Sequence, residues 1–300
     1  MKIVPISFDS FGVRSMCTQV ITKDIKILID PSVSLAPLRF KLEPHIIELR
    51  RMQESWKEIL KISKESDIII ITHFHFDHFS WDEPIQFEKK IVLIKHPTEK
   101  INLSQKQRAS FFLEKIGDLP ESLEYIDGKE FRFGGTEIVF SQPVFHGTDQ
   151  KLGWVVETLI KEGNEKFIFT SDVEGPAIKD QVEFILENRP NFLIVDGPVT
   201  YMLGYRYKYE NFKSSIRNLI KILEDVSPKT LILDHHLLRD LKYKEKTASV
   251  FKAGEEMRTQ VLTAAEFLGK PVDMLEARRK ELYQKYPEIK EKKFFMENKI

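Results

Sequence analysis

The chain has 300 residues, 42% hydrophobic, 31% charged and 11% aromatic, which is enough apolar surface to bury a large core and too much for a disordered chain. Its 46 Lys and Arg balance 46 Asp and Glu, so no overall charge recommends a polyanion, and nucleic acid is not the default partner. The one cysteine, Cys17, excludes an intramolecular disulfide and a thiolate-rich zinc site, and it fits a reducing compartment, which makes a cytoplasmic location the expectation.

Met1 to Pro5 lack a basic region followed by a long apolar run, and nowhere do about 18 apolar residues follow one another, so neither a signal peptide nor a membrane span is expected. No Pro/Gly/Ser-rich linker divides the chain. One domain over residues 1–300 is expected, with a helical insertion at about 43–66 and a helical C-terminal extension at about 241–300.

Three apolar runs, Ile3 to Phe8, Thr18 to Thr22 and Ile25 to Ile29, alternate with turn residues and predict short strands. From Glu43 to Ser66 the period changes: Leu49, Met52, Trp56 and Ile59 recur every three or four residues, which predicts an amphipathic helix. Ile68 to Thr72 is β-branched and uncharged, as in a strand buried on both faces. A strand at Ile91 to Ile94 and a helix at Ser104 to Ile116 follow. A meander comes next, with strands at Phe131 to Phe133, Thr136 to Val144, Gly153 to Ile160 and Lys166 to Thr170, and hairpin turns at Gly134-Gly135 and Gly163-Asn164. Helices at Ile178 to Glu187 and Glu210 to Asp225 then alternate with strands at Phe192 to Val195 and Thr230 to Leu233. Val250, Met257, Val261, Ala264 and Leu268 suggest one face of a further helix ending at Gly269-Lys270-Pro271.

The most informative segment is Thr72-His73-Phe74-His75-Phe76-Asp77-His78-Phe79. In an extended chain His73, His75 and Asp77 point to one side, and Phe74 and Phe76 anchor the other. Ser80 and Glu83 have the spacing of a capping box, which predicts a helix that turns His78 back toward the same point. Three neutral imidazoles and a carboxylate in one place suit Zn²⁺ or a related first-row ion, whose charge offsets the crowding of like groups.

This segment is similar to the signature of the metallo-β-lactamase superfamily, an α/β fold in which an αββα sandwich of two mixed β-sheets flanked by helices carries a dinuclear metal site at one edge. The other elements of the pattern follow in order over roughly residues 1–240, each at the end of an apolar run: Asp30, His146, Asp172 and His235. Gly12 to Ser15, Ser171 to Pro176 and Asp234 to Asp240 resemble a narrower group typical of archaea, which implies no particular substrate. The resemblance implies that His73, His75 and His146 hold a first metal, Asp77, His78 and His235 a second, with Asp172 bridging both and Asp30 accepting a hydrogen bond behind them. His236 competes with His235 as last ligand, because adjacent residues leaving a strand point to opposite faces; whichever is not the ligand would face substrate or support a ligand.

The implied function is a metal-dependent hydrolase in which a hydroxide bridging two divalent ions attacks an ester-like or phosphodiester bond, with Asp77 and Asp172 as its acidic residues. Zinc is the first expectation for the ions, ahead of manganese or iron. A small-molecule substrate is expected ahead of nucleic acid, and no membrane partner. Nuclease branches commonly insert a large domain between the bridging aspartate and the last histidine, and only 62 residues separate Asp172 from His235. Branches without that insertion keep a nuclease open, and an iron-dependent oxidoreductase and a non-catalytic metal-binding protein stay open beside it. Outside the pattern, His45 and His96 read as ordinary histidines, and Arg239 reads as a surface ion pair or as a bidentate partner for phosphate or carboxylate. Tyr201, Tyr205, Tyr207 and Tyr209 read as a packed loop ahead of a pocket wall, and the Arg278 to Lys280 and Lys290 to Lys293 runs as solvated helix.

Overall fold

The structure is a computed structural model that describes residues 1–287. Two sheets face each other. The first joins β1 (Lys2–Phe8), β2 (Met16–Ile21), β3 (Lys26–Ile29), β4 (Ile68–Ile71), β5 (Ile91–Ile94) and β6 (Ser122–Tyr125) in that order, antiparallel as far as β3 and parallel beyond it. The chain then forms β7 (Glu130–Phe133), β8 (Thr136–Phe140), a two-strand ribbon of β9 (Val144–Phe145) with β10 (Trp154–Val155), β11 (Thr158–Glu162), β12 (Glu165–Phe169), β13 (Phe192–Asp196), β14 (Thr230–Asp234) and β15 (Gln260–Leu262). All but the ribbon make the second sheet, in the order β15-β14-β13-β12-β11-β8-β7, whose strands β12 to β15 run parallel. Gly134-Gly135 and Gly163-Asn164 form the two-residue turns of β7–β8 and β11–β12.

The period-two pattern explains the layers. Ile68 and Ile70 of β4 enter the core between the sheets with Ile27, Ile29, Phe140, Phe167 and Phe169, while Ile69 and Ile71 enter a second core with Ala109 and Phe112 of α2 (Leu103–Ile116). α1 (Ile46–Glu65) lies on the same outer face, packing Trp56 and Ile59 against Cys17 and Leu28. The second sheet is covered by α3 (Lys179–Asn188) and α4 (Tyr209–Val226), whose Val182, Ile185, Leu219 and Ile222 meet Leu193, Val195 and Leu231. This is the αββα sandwich. Among the described residues no helix is long and apolar enough to cross a membrane.

Three expectations are corrected. No helix follows His78: residues 76–78 form a turn, Ser80 Oγ accepts from Asp82 N–H in a local loop, and the next helical element is a 3₁₀ turn at Pro84–Phe87. The single C-terminal helix breaks into α5 (Tyr243–Lys246), α6 (Ala248–Glu256), strand β15 and α7 (Ala264–Phe267), before α8 (Arg279–Lys285). Val261 therefore lies in a strand, because Thr259 to Thr263 is a β-rich run whose last residue starts a new capping box with Glu266, and a side chain at Gly254 would meet Val261 Cγ2 at 2.4 Å.

Arg279, the third, is not solvated. It is fully buried, with Nε 2.8 Å and Nη2 2.8 Å from the equally buried Glu48 carboxylate, which also accepts from His45 N–H to cap α1. The Lys290 to Lys293 run lies outside the described residues. Arg279→Met leaves Glu48 buried and unpaired, and is expected to cost about 3–5 kcal/mol in urea unfolding followed by circular dichroism, with most of the loss recovered when Glu48→Met is added. Equal losses in the single and double variants would contradict this account.

Candidate metal centre

The C-terminal ends of β3, β4, β12, β13 and β14 open at one edge of the sandwich, the place where parallel strands commonly present ligands. Each of the sequence-expected residues sits there: Asp30 after β3, His73 to His78 after β4, His146 after β9, Asp172 after β12, and His235 and His236 after β14. Asp30, Ser171, Glu174 and His235 hold φ at 49°, 57°, 53° and 59°, a left-handed conformation that non-glycine residues adopt at a cost of roughly 1 kcal/mol or more each. Gly147, at φ 74°, turns the chain directly after His146 where a side chain would strike Glu174.

Asp172 organises the centre. Its Oδ2 lies 3.2 Å from His146 Nε2 and 3.6 Å from His73 Nε2, and its Oδ1 lies 3.0 Å from His78 Nε2 and 3.3 Å from His235 Nε2. Two lobes result. Ligand atoms of His73, His75, His146 and Asp172 all fall within 4.8 Å of one another, as do those of Asp77, His78, Asp172 and His235. Each group could hold an ion. His73 Nε2, His78 Nε2 and Asp172 Oδ1 are buried without a hydrogen-bond partner, a costly arrangement that a cation would relieve. With imidazole nitrogens and carboxylate oxygens as donors, the site fits first-row divalent ions.

The far sides of the His73, His75, His78 and His235 rings are held, while His146 Nδ1 is buried without a hydrogen-bond partner. A donation order from His73 Nδ1 to Ser171 Oγ (3.2 Å), from Ser171 to Thr72 Oγ1 (2.6 Å) and from Thr72 to Asp30 Oδ2 (2.7 Å) accounts for all three contacts, and it leaves His73 Nε2 free to accept. Asp30 also accepts from Thr72 N–H at 2.8 Å and from His78 Nδ1 at 2.8 Å. Gln105 of α2 places its amide 3.2 Å from His75 Nε2. Behind His235 stands Asp9, whose Oδ2 is 2.7 Å from its Nδ1 and whose Oδ1 accepts from Arg239 Nε at 2.8 Å.

Charge in this buried cluster is strongly redistributed. Burial opposes the His78 cation, but Asp172 and Asp30 outweigh it and raise its pKa to about 10. His73 goes the other way: burial, reinforced by His78, lowers it to about 4. Asp172 is ionised despite burial because His78, His235 and His73 surround it. An ion entering the second lobe therefore has to displace a proton from His78.

His235 and His236 are separated by this geometry. His236 turns its Nδ1 to Asp196 Oδ2 at 2.9 Å and lines a cavity of about 960 Å³ above the centre, together with His75, Asp77, His146 and Asp172. Phe74 is buried as an anchor, but Phe76 is exposed and stacks on Phe79. Tyr201, Tyr205 and Tyr207 line the cavity, so the tyrosine stretch is a pocket wall, with Tyr209 opening α4. Arg239 is buried, not a surface residue.

Asp9, Gln105, Thr72 and Ser171 were not legible as partners in the sequence. Asp9 lies 226 residues from His235, and nothing in its neighbourhood carries a ligand pattern.

Fold and donor set together define the class: the chain belongs to the metallo-beta-lactamase superfamily, whose family model matches residues 12–235. Within it, the chain is 50% identical over 299 residues to a UPF0282 protein of Korarchaeum cryptofilum, covering 98% of this chain and 99% of that one. It is 44% identical over 295 residues to a UPF0282 protein of Methanocaldococcus jannaschii, covering 95% and 97%. Among solved structures it is similar to an isothiocyanate hydrolase from Delia radicum gut bacteria (TM-score 0.54, 13% identity, 88% of this chain and 95% of that one) and to unliganded yeast PDE1 (0.53, 14%, 87% and 96%). It is also similar to CmlA, a diiron β-hydroxylase from Streptomyces venezuelae (0.52, 12%, 82% and 51%). At these identities the likeness to solved structures is one of fold.

Asp9→Ala frees the His235 ring and strands the Arg239 guanidinium, and it is expected to lower the affinity of the second lobe for a divalent ion about 10–100-fold in a competitive chelator titration. Unchanged divalent-ion affinity in this variant would show that Asp9 does not support His235.

Proposed function

We propose that this protein is a metal-dependent hydrolase with two divalent ions, zinc first, held by His73, His75 and His146 on one side and by Asp77, His78 and His235 on the other, with Asp172 between them. The observation that carries this reading is the division of Asp172: each carboxylate oxygen faces its own set of imidazoles. Bound ions would supply Lewis acidity and a water made nucleophilic at neutral pH.

The chain's own residues do the rest. Asp30, Ser171 and Asp9 fix the rings, so little reorganisation is needed when ions or substrate arrive. His236, oriented by Asp196, presents its Nε2 side to the cavity, within reach of a bound substrate. Hydrolases and a diiron hydroxylase share this fold, so the fold does not choose between them; what supports the hydrolase reading is a first lobe with three imidazoles whose one carboxylate is the shared Asp172. The 960 Å³ cavity matches a small molecule, and ester-like or phosphodiester bonds are the proposed targets. Balanced charge over the whole chain supports small molecules ahead of nucleic acid as substrates, and the single cysteine supports a cytoplasmic setting.

Elemental analysis of the purified protein, with a panel of bis(p-nitrophenyl) phosphate, a lactone and a thioester, tests this. Hydrolysis of at least one is expected, lost on chelation and restored by zinc or manganese without oxygen uptake. Asp172→Asn is expected to lose ions and to lower kcat/KM at least about a thousandfold. Full ion content in that variant, or oxygen consumption with stoichiometric iron, would overturn the proposal.

A further inference from the structure

The protein is neutral overall, yet its cavity is not. Arg14, Arg108, Lys151, Arg206, Lys208 and Arg239 line it against the carboxylates of Asp77, Asp149, Asp172 and Glu174. Two of those four carboxylates belong to the candidate metal lobes, so bound ions would leave the cavity strongly cationic.

Two of the cations are built in. Glu276, from the segment before α8, accepts from Arg14 Nε at 2.6 Å and Nη2 at 2.8 Å, and Asp9 accepts from Arg239 Nε. Arg39 packs behind them: its Nη2 donates to the Arg239 carbonyl at 3.1 Å, its guanidinium lies 4.5 Å above the Tyr201 ring, and its Nε is buried without a hydrogen-bond partner. Three guanidiniums thus gather around Glu276, Asp9 and Asp77, the last 3.7 Å from Arg239; Asp9 also serves His235, and Asp77 belongs to the candidate second lobe. Because Asp9 and Asp77 are shared with the candidate ligands, these cations are incompletely balanced where they meet the cavity, which favours an anion there. The fork to Glu276 leaves Arg14 Nη1 unused, and Arg239 Nη2 reaches within 3.7 Å of Asp77 and 3.2 Å of His235 Nε2, which places Arg239 beside the second lobe, with Arg14 lining the same cavity.

We propose that Arg14 and Arg239 form an oxyanion subsite at this lobe and that it takes a phosphoryl group of the substrate. Two guanidiniums carried by different loops approach from different directions, which suits a tetrahedral phosphoryl group, with oxygens on several sides, better than a planar carboxylate. The assignment rests on the hydrolase reading and narrows it to phosphorylated substrates. Glu276 is then a positioning residue that aims Arg14.

Calorimetric titration of the purified protein with inorganic phosphate and with acetate, at fixed ionic strength and with ion content measured in every sample, tests it. The double variant Arg14→Gln, Glu276→Gln keeps the net charge and removes the Arg14–Glu276 pair as a unit, while Arg39 keeps its contacts to the Arg239 carbonyl and the Tyr201 ring. Phosphate is expected to bind the wild type more tightly than acetate, and to weaken at least about tenfold in the double variant at unchanged ion content. A second double variant, Arg14→Lys with Glu276→Gln, restores a cation at this position and should recover part of the loss. Wild-type phosphate affinity in the first double variant, or acetate binding as tight as phosphate, overturns the proposal. Ion-free wild-type protein would sink the metal-centre reading, while the phosphate titration on the same sample still decides the subsite.

Discussion

Asp172 is a carboxylate almost wholly removed from water, with four imidazole nitrogens between 3.0 and 3.6 Å from its oxygens. A buried charge of this kind persists only where its surroundings are fixed in advance, because solvent cannot reorganise to meet it. The fixing is done at the far sides of the rings: Ser171 holds His73, Asp30 holds His78, and Asp9 holds His235. Those supports come from both sheets and from the turn after β1, so the centre exists only when the two halves of the sandwich are in contact.

The backbone bears a cost for this. Asp30, Ser171, Glu174 and His235 are all left-handed, and each lies in the loop by which a buried strand leaves its sheet. A sharp turn at the strand end points the next side chain across the edge toward the opposite sheet. Strands at this edge are among the most buried in the molecule: β4, β13 and β14 carry Ile68 to Ile71, Leu193 to Val195 and Leu231 to Leu233 with almost no exposure. Dense apolar packing on both faces of these strands offsets strain concentrated at the loops they lead into.

Much of this was legible because the patterns are local. The all-isoleucine strand, the α1 periodicity, the glycine hairpins and the His-x-His-x-Asp-His cluster each lie within a short window, and the resemblance supplied the order of Asp30, His146, Asp172 and His235. What failed depended on distant partners. The arginine-rich run at residues 278–280 has the composition of a solvated helix, and only the fold brings Glu48 to Arg279. The helical reading of residues 250–268 foundered because Val261 pairs with Leu231 of β14, a tertiary demand that overrides helical spacing. Strand β6, Ser122–Tyr125, is short and half-exposed and carries no apolar signature. Asp9 and Glu276 share the same difficulty: an isolated acid in an ordinary loop becomes informative only when its partner is in view.

The C-terminal segment shows how these long-range pairings converge on the centre. Asp273 N–H donates to the Ser10 carbonyl, Glu276 holds Arg14, Arg279 holds Glu48, and Ala264 N–H reaches Asp234 beside His235. Ser10 adjoins Asp9, and Arg14 belongs to the same connection between β1 and β2. The segment that follows β14 therefore clamps the loop that orients both His235 and Arg239. An acid on this segment sets the direction of a cavity arginine, and an acid on the clamped loop sets the direction of a candidate ligand. In the proposed reading the two outputs are coupled by construction, since any shift of that loop would move the second ion's histidine and the guanidiniums that meet the substrate's charge together.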